Sequence, residues 1–542
     1  MSVLFQRRVR CALSCVTLGL LVACSTASKP HTARPLPAVA AAPAIVKTVA
    51  PVYAAPGATL QAAKVDPDKL LNRISWGANA STSAALQTLG MDLYLDQQLH
   101  RPSAVLPATI QAQIDGMTIG QQPFAQMMVA LEAQKEAAVQ KKGSDDTLRK
   151  AYQQELNRLA REAASRSLLR AVYSPAQLQE QMVWFWMNHF NISNQKQNLR
   201  AMLGDFEEQA IRPYALENFR DLLRATVMHP AMLRYLDNEH NAVGRINENY
   251  ARELMELHTM GVGSGYSQND VQELARVLTG VGINLSSSAP HLRPELQKAY
   301  VRKGLFEFNP KRHDFGDKQL LGKRIRGRGL AELDETINLL SRQPATARFI
   351  SRKLALYFVS DSPSPALIEG MAQSFLRSDG DIPSVLKTMF ETPEFAASLG
   401  LKFKDPLHYV IASVRLAYDG ASIVNTLPML NWLNSLGQQS NGHQTPDGYS
   451  LEESSWASPA QMASRFDIAK TIAAGSPGLF RSENSELKVA AKDLPRPALA
   501  NSEYVKNWVK KFSPQSQQAL QQAGSPQEWA AFFLASPEMM RR

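Results

Sequence analysis

From Asp66 onward, apolar side chains recur at the spacing of a helix, and this period constrains the fold more than any other feature of the chain. In the segment that starts at Ser267, Val271, Leu274, Ala275 and Leu278 fall at i, i+3, i+4 and i+7, one face of a helix with Ser267 as its cap and Gly280 as its stop. Leu86, Leu89, Leu93, Leu95 and Leu99 predict a helix that ends near Pro102. The stretch Pro123 to Tyr173 predicts two helices in a hairpin, broken at Gly143-Ser144-Asp145-Asp146, with Ser144 or Asp145 capping the second. Ser174-Pro175 predicts a further start, with Pro at the tolerated first position. More helices are expected near 331–342, 344–359, 364–377, 405–419, 459–474 and 502–534. One region breaks the period: Leu305-Phe306-Glu307-Phe308, Asn309-Pro310 and Lys318-Gln319-Leu320-Leu321-Gly322 read as a small β-ribbon around a long turn, near 305–325. No repeat at solenoid period is visible, and no linker splits the body. Residues 421–458, with Asn441-Gly442 and Pro446-Asp447-Gly448, are expected to be a large irregular loop. The fold class predicted is mainly α: a multi-helical single body over 66–542 with one small β-ribbon.

The segment before this body has a different character. All three cysteines, Cys11, Cys15 and Cys24, lie in the first 24 of 542 residues. Arg7, Arg8 and Arg10 precede an apolar run to Ala23, the n-region and h-region of a secretory signal, too short for a comfortable membrane span. The run ends in Leu21-Val22-Ala23-Cys24, which resembles the bacterial lipoprotein box. Residues 1–23 are therefore expected to be a signal peptide and Cys24 the lipidation site. Ser25 in place of Asp resembles an outer-membrane address, so the expected location is the cell envelope, lipid-anchored at the outer membrane. Residues 24–65, rich in Ala and Pro, are expected to be an extended tether. Cleavage would remove three arginines from a formal charge of +10, leaving 10 − 3 = +7. It would also leave a folded body without cysteine, which excludes thiol catalysis, thiolate metal sites and disulfides there. A hydrophobic share of 44% with 20% charged residues excludes wholesale disorder and a polytopic membrane protein.

Common catalytic signatures are missing: there is no HExxH, no phosphate-binding P-loop, no GxSxG elbow and no EF-hand spacing. Gly261, Gly263 and Gly265 follow a helix instead of a strand, so no nucleotide motif is present. Three polar clusters remain. The first is Trp184-Phe185-Trp186-Met187-Asn188-His189-Phe190-Asn191, in which His189 is a structural histidine or a metal or acid–base group. The second is Asn247-Glu248-Asn249-Tyr250-Ala251-Arg252-Glu253-Leu254-Met255-Glu256-Leu257-His258. Tyr250, Leu254 and Leu257 form its core stripe; Asn249, Arg252, Glu253 and Glu256 form a polar face beside it. Two carboxylates one turn apart can bind a metal or share a proton. Arg252, four residues from both Glu248 and Glu256, can equally tie them into an ion network. The Glu-x-x-His spacing of di-iron bundles is missing, since His258 lies five residues from Glu253 and two from Glu256. The third cluster is His313-Asp314-Phe315-Gly316, a capping turn or a ligand pair. Basic runs such as Lys323-Arg324-Ile325-Arg326 lack interleaved aromatics, and no nucleic-acid partner is expected.

These blocks together resemble the bacterial family catalogued as domain of unknown function 1800. The resemblance is carried by Leu71-Asn72-Arg73 with Trp76-Gly77, by Phe185-Trp186-Met187-Asn188-His189-Phe190, and by Met232-Leu233-Arg234-Tyr235-Leu236-Asp237-Asn238. It continues through Asn247 to Leu254, Glu256-Leu257-His258-Thr259, Gly265-Tyr266-Ser267-Gln268, His313-Asp314-Phe315-Gly316 and Phe349-Ile350 with Lys353-Leu354, over roughly 70–475. Met187 stands where the family pattern often has a second histidine, and Pro446-Asp447-Gly448-Tyr449 has Tyr for Trp. The resemblance implies a secreted, mostly helical protein and supplies no catalytic residue. It also implies a secreted protein partner, because genes of the family often lie beside those of another secreted family that resembles sulfatases and phosphatases.

Two functions stay open on the sequence. One is a lipid-tethered body that docks or assembles a secreted protein. The other is an enzyme on envelope or extracellular material, dependent on carboxylates or a divalent metal. Its catalytic candidates are Glu253, Glu256 and His258; its metal candidates are His189, Glu253, His258, His313 and Asp314. The enzyme requires these blocks to converge in one cavity.

Overall fold

A computed structural model describes residues 65–100, 105–140, 146–286, 288–482, 493–497 and 499–542. The expected signal peptide, Cys24, the tether up to residue 64 and the expected caps Ser144 and Asp145 lie outside the described residues. The body is mainly α, as its apolar period requires. Helices begin where a capping side chain precedes proline: Asp66-Pro67, Ser364-Pro365, Asp405-Pro406, Ser458-Pro459 and Ser525-Pro526 all supply a side-chain acceptor to the first turn. Ser267 and Asp270 form a capping box at the start of helix Gln268–Val277. The hairpin pairs Phe124–Gln140 with Thr147–Tyr173.

Several boundaries differ from expectation, each for a local reason. Gly90, at φ +77°, divides the stretch before Pro102 into Ala80–Leu89 and Met91–His100. After Ser174-Pro175 the helix starts only at Gln177. Pro514 and Pro526 divide 502–534 into Glu503–Val509, Pro514–Gln521 and Pro526–Leu534, because each proline can open a helix but not continue one. Helix Leu427–Ser435 lies inside the stretch expected to be irregular.

The ribbon expected near 305–325 is two separate sheets. Strands β1 (Val281–Ile283), β2 (Val301–Lys303) and β3 (Phe306–Phe308) form an antiparallel sheet in the order β1-β3-β2, with Val281 and Val301 both opposite Phe308. Strands β4 (Lys318–Leu320) and β5 (Lys323–Ile325) pair only with each other. Turn chemistry decides this pairing. Leu321 and Gly322 both take positive φ, 50° and 75°, so a two-residue turn returns the chain at once into β5 instead of toward β3.

Two large hydrophobic clusters form the interior, beside a small one of Leu106, Ile110, Ile114 and Leu169. The larger spans residues from Leu70 to Leu399; the smaller spans Phe403 to Met540 and includes Trp76, Leu168, Ala171 and Val172. Helix Gln177–His189 sits on the seam, and its Trp184 packs against both. Buried cations seal helix C-termini around this seam, where unpaired carbonyls and the negative dipole end favour them. Arg73, fully buried, donates to the carbonyls of Phe358 and of Ser398 (2.6 Å), the ends of helices Pro344–Phe358 and Pro393–Ser398. Arg542 donates to the Tyr357 carbonyl at 2.7 Å, and Arg415 to that of Val172 at the end of Thr147–Tyr173.

Candidate functional site

Helix Gln177–His189 presents two opposite faces, and polar chemistry lies against each. On the first face, His189 donates its Nε2 hydrogen to the His258 carbonyl at 3.1 Å, which leaves Nδ1 buried as a free acceptor. The two histidine rings are 6.2 Å apart, and His258 Nε2 is also buried without a hydrogen-bond partner. Burial holds both rings neutral: it lowers His189 well below the usual histidine value, and it lowers His258 to about 3, with the Lys353 charge adding to the effect. The backbone that carries His258 is not α-helical. Residues Leu254–Thr259 form a π-turn, in which Met260 N–H reaches the Met255 carbonyl five residues back at 2.9 Å. Single π-turns of this kind are frequent at functional positions.

The neighbouring acidic face is divided. Arg252 bonds Glu248 at 3.2 Å and Glu256 at 3.4 Å, the bridge that its spacing allows, and Gln268 adds a bond to Glu248 at 2.7 Å. Among the described residues no hydrogen bond or ion pair engages Glu253, which is half-buried; burial first, then Glu256 and Asp447, pushes its carboxyl up. Lys353, from helix Pro344–Phe358, likewise has no acid bonded to it; its ammonium lies 5.7 Å from the Phe349 ring centre, and burial lowers it to about 8. Asp447 lies within electrostatic reach of both Glu253 and Lys353. Burial raises Asp447, but bonds from Thr445 (2.5 Å) and His443 (3.2 Å) outweigh it and hold the group ionised.

Asp447 arrives on a loop that asparagines hold in place. Asn188 exchanges two hydrogen bonds with the Tyr449 backbone, at 2.9 and 2.7 Å. Asn191 donates to the carbonyls of His443 and Thr445, at 3.1 and 2.7 Å, and Asn194 donates to that of Ser440 at 3.1 Å. Gly448 is required at this contact: its φ is +77°, and a Cβ there would stand 2.1 Å from the Asn188 carbonyl oxygen.

The third cluster stands apart. His313 contacts Glu332 through Nε2 at 3.0 Å and the Thr279 carbonyl through Nδ1 at 2.8 Å. Lys318 bonds the other oxygen of Glu332 at 2.5 Å, and Asp314 pairs with Arg276 at 2.8 Å. Burial raises Glu332, but His313 and Lys318 outweigh it and hold the carboxyl below its usual range. Their partners include neither His189 nor His258. Among the described residues, no group of three or more His, Cys, Asp and Glu side chains stands close enough to hold a metal.

On the second face of helix Gln177–His189 is a network that the sequence reading did not single out. Arg212 grips Glu180 with one nitrogen (2.9 and 3.0 Å) and Glu207 with another (2.8 Å), and Ser167 donates to Glu207. Glu207 also belongs to a π-turn, Phe206–Ile211, closed by Arg212 N–H on the Glu207 carbonyl. Met187 faces this side and lines a cavity there, whereas His189 faces the other.

The model of the family described as "Protein of unknown function (DUF1800)" matches residues 69–541. The chain belongs to that family. The match takes in both clusters and the asparagine-held loop, so the candidate site lies wholly within the DUF1800 region. No curated protein and no solved structure matches the chain. Asp447, which lies within electrostatic reach of both Glu253 and Lys353, was visible beforehand only as a member of a family block, as was Lys353. The signal that could have drawn attention to the loop is the run Asn188, Asn191, Asn194, three amides in seven residues at a helix end.

Proposed function

We propose that this DUF1800 protein is a cell-envelope lipoprotein, held at a membrane through lipidated Cys24, whose body performs carboxylate-dependent acid–base chemistry on envelope or extracellular material. The observation that supports the chemistry is the pair of unengaged groups that share Asp447 as neighbour: Glu253, pushed up, and Lys353, pulled down to about 8. Groups shifted toward neutrality from opposite sides are suited to proton transfer near pH 7. In this reading Glu253 exchanges a proton with the substrate and Lys353 stabilises negative charge that develops on it. Asp447 raises the proton affinity of Lys353 and so favours its charged form. The test is a screen of the purified protein against chromogenic esters, phosphodiesters and glycosides and against isolated envelope polymers. Turnover that falls at least 100-fold in Glu253→Gln with an unchanged melting temperature supports the reading. Turnover indifferent to Glu253→Gln and Asp447→Asn, or none on any substrate, overturns it.

A docking role for a secreted protein has one observation in its favour. The loops on either side of residues 249–259 expose Val243 (49%), Ile246 (42%) and Val262 (74%), apolar side chains that a docked partner could cover. Crosslinking from Val262 in intact envelopes to one reproducible secreted protein, lost in Val262→Asp, would favour docking over catalysis.

A further inference from the structure

Formal charge is spread unevenly over the folded body. Residues 1–65 hold seven of the 59 Lys and Arg residues and none of the 49 acids, so residues 66–542 carry 52 − 49 = +3. Within them, residues 293–328 hold 11 cations against four acids, 11 − 4 = +7. The rest of the body is therefore 3 − 7 = −4. A body divided in this way is drawn to an anionic surface by one segment and repelled by the remainder, so the field sets orientation as well as attraction.

The segment keeps its cations available. Arg293, Lys298, Lys303, Lys311, Lys323 and Arg326 are all exposed, and among the described residues no carboxylate is bonded to any of them. Arg324 and Arg328, by contrast, are paired with Asp317 and Glu335. Apolar side chains stand among these cations: Val301 is 39% exposed and Phe315 43%. Their neighbourhood follows from the pairing of β2 with β3. Val301 lies opposite Phe308, so the two side chains share one face of the sheet, and Lys303, two residues after Val301, shares it too. The Phe308 ring is 5.0 Å from that of His313, which is 4.8 Å from that of Phe315. Gly327 packs so closely on the Phe315 carbonyl that a Cβ would not fit, which sets Arg326 beside Phe315. Lys303, Val301, Phe315 and Arg326 thus belong to one side of the body.

We infer that this side docks on an anionic lipid surface, with the lysines and arginines among the headgroups and Phe315 and Val301 at the boundary with the acyl chains. One partner then supplies both features of the face, because acidic headgroups overlie an apolar layer, whereas an acidic polymer offers charge alone. Each basic residue close to such a surface is worth about fivefold in partitioning. The face is independent of the acid–base reading, because no residue that reading uses belongs to it, and it needs no lipid on Cys24.

The test is hydrogen-exchange mass spectrometry on the whole protein with excess vesicles, made either of phosphatidylethanolamine with about 30% phosphatidylglycerol or of phosphatidylcholine alone. An anchor at Cys24 would act alike on both, so the comparison reads the face itself. At about 50 mM salt, amides in 301–303, 313–317 and 326–328 are expected to exchange about fivefold or more slower with the anionic vesicles only. The protection should vanish at about 500 mM salt, where the screening length falls below about 5 Å. Lys303→Glu with Arg326→Glu should remove it at an unchanged melting temperature. Lys470→Glu with Lys510→Glu makes the same change in net charge on and beside helices Pro459–Ala473 and Glu503–Val509, and should leave it in place. Phe315→Ser should weaken the protection with the charge intact. No protection, protection equal with both vesicles, or protection that survives Lys303→Glu with Arg326→Glu would overturn the inference. So would the same protection with poly-glutamate together with indifference to Phe315→Ser, which would assign the face to an acidic polymer.

Discussion

Replacement of Arg212 by methionine probes the packing of the seam most directly. The arginine side chain is 12% exposed and holds two carboxylates that are each 6% exposed. Glu207 keeps other support in the variant, since Ser167 still donates to it and Arg166 still acts on it electrostatically. Glu180 keeps none: both of its bonds, at 2.9 and 3.0 Å, come from Arg212. The variant therefore buries one bare carboxylate and one partly supported one, a loss of about 3–5 kcal/mol. At about 2.1 cal/mol/K per residue, a body of roughly 480 residues has an unfolding entropy near 1 kcal/mol/K, so Tm should fall by about 3–5 °C. The pH dependence carries a sign that a simple packing defect lacks. In the parent, burial raises Glu207 but Arg212 outweighs it, and the folded carboxyl titrates below its unfolded value. Its contribution is thus complete above about pH 4.3 and is lost as pH falls through the folded value. In Arg212→Met the unpaired carboxylates titrate above their unfolded values, so the variant gains stability as pH falls from 7.5 toward 5. The deficit relative to the parent should narrow over that interval. Differential scanning calorimetry at pH 7.5 and 5.0 measures both quantities, and adding Glu180→Gln and Glu207→Gln should restore most of the loss. A Tm drop below 1 °C, or a deficit equal at both pH values, would refute the reasoning.

Asn191→Ala removes two bonds to the 443–445 backbone, about 1 kcal/mol each, so amide exchange in 443–449 should accelerate about 30-fold, as hydrogen-exchange mass spectrometry can read. Glu332→Gln leaves fully buried Lys318 without its counter-charge and should cost about 3–5 kcal/mol in a thermal melt; Lys318→Met together with Glu332→Leu should recover much of it. Lys353 should become acylable by an amine reagent with a midpoint near pH 8, read by peptide mass spectrometry. Because the unfolded lysine titrates near 10.4, the unfolded chain holds the extra proton between about pH 8 and 10.4, and the Lys353 contribution to stability rises with pH across that window.

The helices were legible because their determinants are local. Ser267 with Asp270, the prolines at first positions and the i, i+3, i+4 stripes act within a few residues, and the structure places helices there. Pro514 and Pro526 carried the same information about 502–534, and their effect on a continuous helix outweighs the favourable composition around them. Strand pairing was not legible, since it turned on Leu321 and Gly322 both adopting positive φ, a choice that the apolar pattern of β3 and β4 does not encode. The Arg252 bridge could be read from spacing along one helix. The neighbourhood of Glu253 could not, because Asp447 arrives from a segment 194 positions downstream, and its approach depends on packing across the whole body.

Met187 and His189 settle how the helix between the two sites should be tested. Residues two apart on an α-helix point about 200° away from each other, so they cannot grip one ion. The structure follows that geometry, with Met187 on the cavity and His189 against His258. A histidine at position 187, as the family pattern often carries, would therefore face Trp184 and Glu180 on the cavity side. Met187→His should leave the His189 ring neutral and its bond to the His258 carbonyl intact, with no change in its imidazole resonances between pH 5 and 8. Any zinc the variant acquires should persist in Met187→His with His189→Ala and vanish with Glu180→Gln. Zinc lost on His189→Ala alone would mean that the helix unwinds to bring both rings together, and the division of its two faces would then be wrong.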